Sequence, residues 1–273
     1  MQKFLLTIAY EGTLYRGWQR QSPNQEKLMP SVSAMIESAI GKACNTSELK
    51  LQGSGRTDVG VHGRAQTAHL EISTRLSPPI LQRAINSGLP NSIRIISIET
   101  IHENFHAQRD VKRKTYRYFV LHRVDDRAIS WPFLARWTWL VTQQLEVERM
   151  QKAIQVLIGV HDFAAFQNVG TKVKHTVREI FSAECIEHNW DELGDFPWIP
   201  SGAAAESLRL IEFRLCGKGF LKQMVRNIAG TLVDIGKGNL EVEDMKKILA
   251  SKKRSMGGPT APGEGLFLDT VVY

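Results

Sequence analysis

The stretch from Lys3 to Tyr10 is mostly apolar, with Phe4, Leu5, Ile8 and Ala9, and reads as a strand. Val32, Met35, Ile36 and Ala39 recur at the spacing of one helical face, with Ser31 placed as the cap of that helix. A glycine-rich stretch, Gly53 to Gly63, separates a short strand near Lys50 to Gln52 from a longer one at Gln66 to Ile72. Ser77-Pro78-Pro79 opens a second helix, because proline fits the first turn, and Asn86-Ser87-Gly88 with Pro90 closes it. Ile93 to Ile101 is another strand. The first part of the chain therefore runs β-α-β-β-α-β.

The second part opens on Lys114 to Leu121, where Tyr116, Tyr118 and Val120 alternate with polar residues, and Trp137 to Leu140 can add a strand. Val147, Met150, Ile154 and Leu157 form a helical stripe that Gly159 would end. Strands are expected at Val177 to Glu187 and Leu208 to Leu215. A long helix is expected from about Phe220 to Ile235, on the face of Leu221, Met224, Ile228, Leu232 and Ile235. Val242 to Ala250 reads as a shorter helix and Leu266 to Val272 as a last strand. Asn189 to Glu206 and Ser251 to Gly265 read as loops. Both parts have the order of a split βαβ unit, although no repetition is visible letter by letter. Two such sheets side by side would form one mixed sheet with helices on one face, leaving the other face and the seam for a ligand.

Composition narrows the class. The chain has 273 residues, 42 % hydrophobic and 23 % charged, which excludes a disordered polymer and supplies a core that needs no covalent staples. No run approaches the roughly 18 apolar residues of a membrane span. Met1 to Tyr10 lacks the layout of a secretory leader, so a cytoplasmic protein with no membrane partner is expected. Cys44, Cys185 and Cys216 are far apart and form no C-x-x-C, and no metal site is expected. Lys plus Arg number 35 against 28 Asp plus Glu, a net +7 that suggests an acidic partner such as nucleic acid.

Three clusters can carry chemistry. Gly53-Ser54-Gly55-Arg56-Thr57-Asp58-Val59-Gly60-Val61-His62-Gly63-Arg64 puts one acid, two arginines and one histidine in a frame of four glycines. Its glycine spacing is not that of a dinucleotide fingerprint, and it lacks the G-K-[ST] of a phosphate loop. Lys112-Arg113-Lys114-Thr115-Tyr116-Arg117-Tyr118 alternates bases with rings, a pattern suited to phosphates and unpaired bases. Lys218-Gly219-Phe220-Leu221-Lys222-Gln223-Met224-Val225-Arg226 sets Lys222 and Arg226 four apart at an expected helix start, where an anion would be attracted. Each cluster also has a plainer reading: a turn capped by Asp58, an edge strand protected by lysines, and an amphipathic helix with a snorkelling arginine. His161-Asp162 is a weak acid–base pair, since sequence neighbours rarely face each other on a helix, and Phe163 and Phe166 read as packing.

Taken in order along nearly the whole chain, these motifs resemble the TruA-type tRNA pseudouridine synthases. The resemblance includes Tyr10-Glu11-Gly12-Thr13, Tyr15-Arg16-Gly17-Trp18-Gln19-Arg20-Gln21 and, most specifically, Gly55 to Gly63. It continues through Phe105-His106-Ala107, Lys114 to Tyr118, Asp162-Phe163, Gly219-Phe220, Met224 to Leu232, Thr260-Ala261-Pro262 and Gly265-Leu266. It implies the α+β pseudouridine synthase fold: two ferredoxin-like βαββαβ halves in one mixed, mainly antiparallel sheet, with helices on one face and a cleft between halves. Residues 1–108 would carry the Asp loop, and residues 109–273 the tyrosine and arginine of the site.

The implied reaction turns uridine into pseudouridine at positions 38–40 of the tRNA anticodon arm, without cofactor or metal. Asp58 matches the essential aspartate. Arg226 matches the arginine that pairs with it, and Tyr116 the tyrosine that stacks on the target base. Arg56 matches the arginine that supports base flipping, and Leu266 would wall the uracil pocket. Arg20, Arg64, Lys112, Lys114 and Lys222 are expected RNA contacts. A homodimer sharing one tRNA is implied as well. A non-catalytic tRNA-binding protein of this fold would have lost the acid or the tyrosine, and a plain RNA-binding sheet would not need Asp58 in a glycine frame. Gln108 stands where the family often has arginine, with Arg109 next to it. Pro30-Ser31-Val32-Ser33 replaces Thr-Val-Gln, and both Asn24 to Met29 and Asn189 to Glu206 are longer than expected. These departures bear on substrate range more than on activity.

Overall fold

The computed structural model describes residues 1–124, 131–170, 173–194 and 196–273. The chain forms two compact units, 1–114 with 267–273, and 115–266. The first part contains β1 (Gln2–Tyr10), α1 (Pro23–Leu28), α2 (Val32–Cys44), β2 (Lys50–Gly53), β3 (His62–Ile72), α3 (Pro78–Ser87) and β4 (Ile93–Thr100). There follow β5 (Arg113–Arg123), β6 (Trp139–Val141), α4 (Val147–Ile154), β7 (Gly159–Asp162), β8 (Val177–His188), α5 (Ala203–Ser207), β9 (Leu208–Gly217), α6 (Met224–Gly236), α7 (Asp244–Ser251) and β10 (Leu266–Val272). The fold is α+β, its ten strands mixed and mostly antiparallel.

In the first unit the order β4-β1-β3-β2 is antiparallel throughout, the ferredoxin-like arrangement expected of β-α-β-β-α-β. β1 alternates faces and buries Phe4, Leu6, Ile8 and Tyr10 on one side. Against that side lie Val32, Ile36, Ala39 and Ile40 of α2 and Leu81 and Ile85 of α3. Burying each large side chain contributes roughly 1.5–3 kcal/mol. Ser31 caps α2 by accepting from the Ala34 amide, and Pro78 and Pro79 form the first turn of α3. β2 and β10 share the outer edge of β3 at its two ends. β2 pairs antiparallel with Ala68–Glu71, and Phe267 and Leu268 of β10 pair parallel with His62 and Gly63. The chain between β2 and β3 is therefore held at that edge.

In the second unit β5-β9-β8-β7 run side by side, and β5-β9-β8 repeats the order β1-β3-β2. On β9, Ile211, Phe213 and Leu215 are fully buried. α4 packs on α6 and β8, and α6 is buried around most of its surface. Residues two apart share a strand face, so Leu210, Glu212 and Arg214 occupy the face opposite to Ile211 and Phe213. Part of that second face is covered. Trp190, Leu208, Leu210, Leu121 and Leu134 form a buried cluster, with Phe119, Trp131, Leu193 and Ile199 against it.

Several local expectations are corrected. α6 starts at Met224, not near Phe220, because Gln223 takes a left-handed φ of 60° and breaks the helix there. Lys222 thus lies before the helix, and its pairing with Arg226 on a helical face is lost. Asn189 to Glu206 is not simply a loop, since it contains a 3-10 turn at Trp190–Leu193 and the start of α5. Asp195 of that segment lies outside the described residues. Gly159, at φ 109°, opens the short strand β7 rather than ending the α4 stripe directly.

Candidate active site

Asp58 stands in the connection between β2 and β3, whose base is fastened to β3. The Ser54 amide donates to the Thr67 carbonyl at 2.8 Å, and the Ser54 hydroxyl to Gln66 Oε1 at 2.8 Å. Gln66 Nε2 then donates to the Gly55 carbonyl at 3.1 Å. The far side of the loop is fixed by residues 10–18. The Tyr10 and Thr57 hydroxyls share a hydrogen bond of 2.9 Å, the Trp18 amide donates to the Thr57 carbonyl at 3.2 Å, and the Gly60 amide to the Tyr15 carbonyl at 3.4 Å. Burial pushes the Tyr10 hydroxyl pKa up, so this bond joins two neutral groups.

Two glycines permit this contact. Gly17 has φ 88°, and a Cβ there would collide with the Thr57 carbonyl and lie 2.9 Å from the carbonyl carbon of Asp58. A Cβ on Gly12 would collide with the Val61 carbonyl. The Val61 amide donates to the Asp58 carbonyl at 3.2 Å and closes the turn. His62, buried at the start of β3, accepts the Gly12 amide at Nδ1 at 2.9 Å, so in the neutral ring Nε2 carries the proton. Its ring stacks on Phe267 at 4.5 Å. In this frame Asp58 is half-buried and Arg56 exposed.

In the second unit Tyr116 is buried on β5, edge-on to the Phe220 ring at 4.9 Å. Arg226 lies in the first turn of α6, and its Nε donates to the Ala261 carbonyl at 2.7 Å. The Ala261 amide donates back to the Arg226 carbonyl at 3.1 Å. The segment 258–261 is held on α6 by further bonds: Thr260 Oγ1 to Asn227 Oδ1 at 2.6 Å, and the Gly258 amide to Thr231 Oγ1 at 3.0 Å. A Cβ on Gly230 would collide with the Pro259 carbonyl, so this segment rests directly on the helix. Leu266, at the start of β10, is buried, and the Tyr118 hydroxyl donates to the Pro262 carbonyl at 2.9 Å. Arg226 is thus oriented by a backbone carbonyl, and Tyr116 packs against a neighbouring ring.

A family model described as tRNA pseudouridine synthase matches residues 6–110 and 153–273. The chain belongs to the tRNA pseudouridine synthase family. It is 33 % identical over 273 residues to tRNA pseudouridine synthase A 2 of Bacillus cereus, with all of both chains covered. It is 34 % identical over 285 residues to tRNA pseudouridine synthase A of Thermodesulfovibrio yellowstonii, again with both chains covered in full. To tRNA pseudouridine synthase A of Streptococcus equi it is 34 % identical over 273 residues, covering 100 % of this chain and 99 % of the other. The enzyme is a tRNA pseudouridine synthase, an isomerase.

The expected RNA contacts of this synthase fall into three kinds. Lys112 and Lys222 are exposed. Arg20 and Arg64 are also exposed but carry carboxylate partners, Glu37 at 2.8 Å and Asp269 at 2.7 Å. Lys114 turns inward, and its ammonium donates to the Ser54 carbonyl at 2.7 Å. His161 and Asp162 do not pair. They sit on β7, where successive side chains face opposite ways, and Asp162 bonds Thr176 and Lys252 at 2.5 and 3.0 Å. Phe163 and Phe166 are fully buried, as packing residues should be.

One charged centre of the synthase was not among the expected clusters. Glu212 is fully buried, accepting two bonds from Arg117 at 2.8 and 2.7 Å, one from Arg214 at 2.7 Å, and bonding His188 at 2.8 Å. Burial works to raise its pKa, but the arginine and histidine bonds outweigh it and hold the carboxyl down at about 2. A charged residue inside an apolar strand, as in Leu210-Ile211-Glu212-Phe213, is the one sequence sign of such a centre. Among the described residues no group of His, Cys, Asp and Glu could hold a metal ion, and no helix is long and apolar enough to cross a membrane.

Proposed function

We propose that the enzyme converts uridine to pseudouridine at positions 38–40 of the tRNA anticodon stem-loop, with Asp58 as its essential group and no cofactor. The observation that carries this reading is the backbone clamp on Asp58. Glycine-only contacts at Gly12 and Gly17 hold a half-buried carboxylate on a loop whose neighbouring Arg56 faces solvent. A catalytic carboxylate needs such support, because a small displacement of a reacting group costs rate steeply.

In this reading Arg56 enters the RNA stack as the target uridine turns out, at a cost of a few kcal/mol. Tyr116 stacks on the uracil and Leu266 walls its pocket. Arg226 is the arginine that the family resemblance assigns as the partner of Asp58. Asp58 acts at the sugar, either by adding to C1′ or by taking the route through a glycal. The N1–C1′ bond breaks with its electron pair leaving on uracil, the base turns, C5 bonds to C1′ as Asp58 gives up the bond or proton it took, the C5 proton leaves, and N1 takes up a proton. Arg20, Arg64, Lys112 and Lys222 contact phosphates, and Lys114 belongs with them only if it leaves the interior. A cytoplasmic homodimer that shares one tRNA completes the reading, and sedimentation with and without tRNA tests that part.

The central test is tritium release from tRNA labelled at uridine C5, with wild type and Asp58→Asn side by side. Wild type is expected to release tritium. The variant should lose about four orders of magnitude in turnover, as removal of a covalent or basic group does, while tRNA affinity stays within about twofold. Normal release by Asp58→Asn would refute the assignment.

A further inference from the structure

Lys114 is out of place for a phosphate contact. It is 9 % exposed, and its Nζ donates to the Ser54 carbonyl at 2.7 Å. The same Nζ occupies the space beside Gly55, where a Cβ would lie 2.7 Å from it. Burial alone pulls the ammonium pKa down to about 8, with no carboxylate acting on it among the described residues. Burying an ammonium that lacks a counter-ion costs free energy, and an apolar side chain would fill this strand position at no such cost. The cost coincides with the base of the Asp58 loop. Ser54 is fully buried and Gly55 follows it, so the direction in which the chain leaves toward Arg56 and Asp58 is set at this carbonyl. Lys114 also lies on β5, two residues before Tyr116.

We propose that Lys114 is the positioning residue of the catalytic loop: its ammonium pins the Ser54 carbonyl and packs on Gly55, setting the line along which Arg56 and Asp58 are presented. This rests on Asp58 being the catalytic group. The role concerns orientation and not substrate affinity, so it predicts a loss in kcat at nearly constant KM. It also makes Gly55 its structural counterpart, since a Cβ there would lie 2.7 Å from the ammonium and oblige it to shift.

The experiment measures kcat, KM and tRNA Kd by tritium release and filter binding for Lys114→Met, Gly55→Ala and the double variant, with a thermal melt of each. Wild type and Asp58→Asn are run alongside. kcat should fall about ten- to a hundredfold in each single variant, with KM and Kd within about twofold. The double should be no slower than the slower single, because both changes break one contact. If Lys114→Met does not fold, Gly55→Ala decides alone, because it keeps the ammonium and displaces it. A weakened Kd with wild-type kcat would make Lys114 a phosphate contact and overturn the proposal. Wild-type kcat in the folded variants, or losses in the double that simply multiply, would overturn it too. An active Asp58→Asn would sink the underlying reading and this proposal together. A dead Asp58→Asn beside unimpaired Lys114 and Gly55 variants would sink the proposal alone.

Discussion

The two units repeat one strand order, β1-β3-β2 and β5-β9-β8, yet they hold their candidate site residues by different physics. In the first, the Asp58 loop is held by backbone approach and hydrogen bonds of neutral groups, beside the charged contact of the Lys114 ammonium with the Ser54 carbonyl. Gly12 and Gly17 let one loop lie on another, and Tyr10, Trp18 and Ser54 supply the bonds. In the second, Gly230 likewise lets the segment 258–261 lie on α6, and charge is added to that device. Glu212 gathers Arg117, Arg214 and His188, and Arg226 is aimed by the Ala261 carbonyl. A backbone clamp tolerates changes of pH and salt but not an added methyl group. A charged centre tolerates small changes of shape but depends on its protonation state. Sharing a strand order therefore does not mean sharing a source of rigidity.

The sharpest way to break this comparison is Glu212→Gln. Removing a buried charge between two arginines should cost about 3–5 kcal/mol at neutral pH, read by denaturant unfolding. Glu212 has its pKa lowered from 4.5 to about 2, so its stabilisation is complete above pH 4.5 and fades as the pH falls toward 2. The gap between wild type and variant should narrow over that window. A gap that stays constant from pH 6 to pH 3 would mean that charge is not what holds the second unit.

Arg226→Lys comes next. A lysine keeps the charge but cannot both donate to Ala261 and present a second planar face, so turnover should fall about a hundredfold in the tritium assay. Wild-type turnover would show that a point charge suffices and that the Ala261 carbonyl aims nothing.

The smallest effect is expected for Gly17→Ala in the first unit. The residue would hold φ 88° and meet the Thr57 carbonyl, costing about 1–3 kcal/mol in unfolding free energy, with no added pH dependence between pH 3 and 6. A neutral Gly17→Ala would remove the backbone clamp from the account of Asp58.

Most elements were legible because their signals are local. The alternation in β1, the Ser31 cap of α2 and the proline start of α3 each depend on residues within one or two turns. α6 was misjudged at its start for an instructive reason. Leu221 is buried like a residue of the helical stripe, so the periodicity continues past Gln223, where the backbone leaves the helix. β7 and α1 were missed because four and six residues carry too short a pattern. The candidate site was read differently. Asp58, Tyr116 and Arg226 stood out through motif resemblance, while the expectation that Lys114 faces RNA followed from its basic neighbours and said nothing of orientation.

The sequence by itself determined the order and kind of the main elements, the α+β class and the family to which the chain belongs. The tertiary structure alone decided which glycines touch another loop, that Lys114 points at Ser54, and that Glu212 gathers its three partners. The physical reason is range. Periodicity and capping are settled by a residue's near neighbours, whereas the Tyr10–Thr57, Ser54–Lys114 and Arg117–Glu212 contacts join residues 47, 60 and 95 positions apart. Such pairs exist only after the strands have set their register, and no local pattern encodes them.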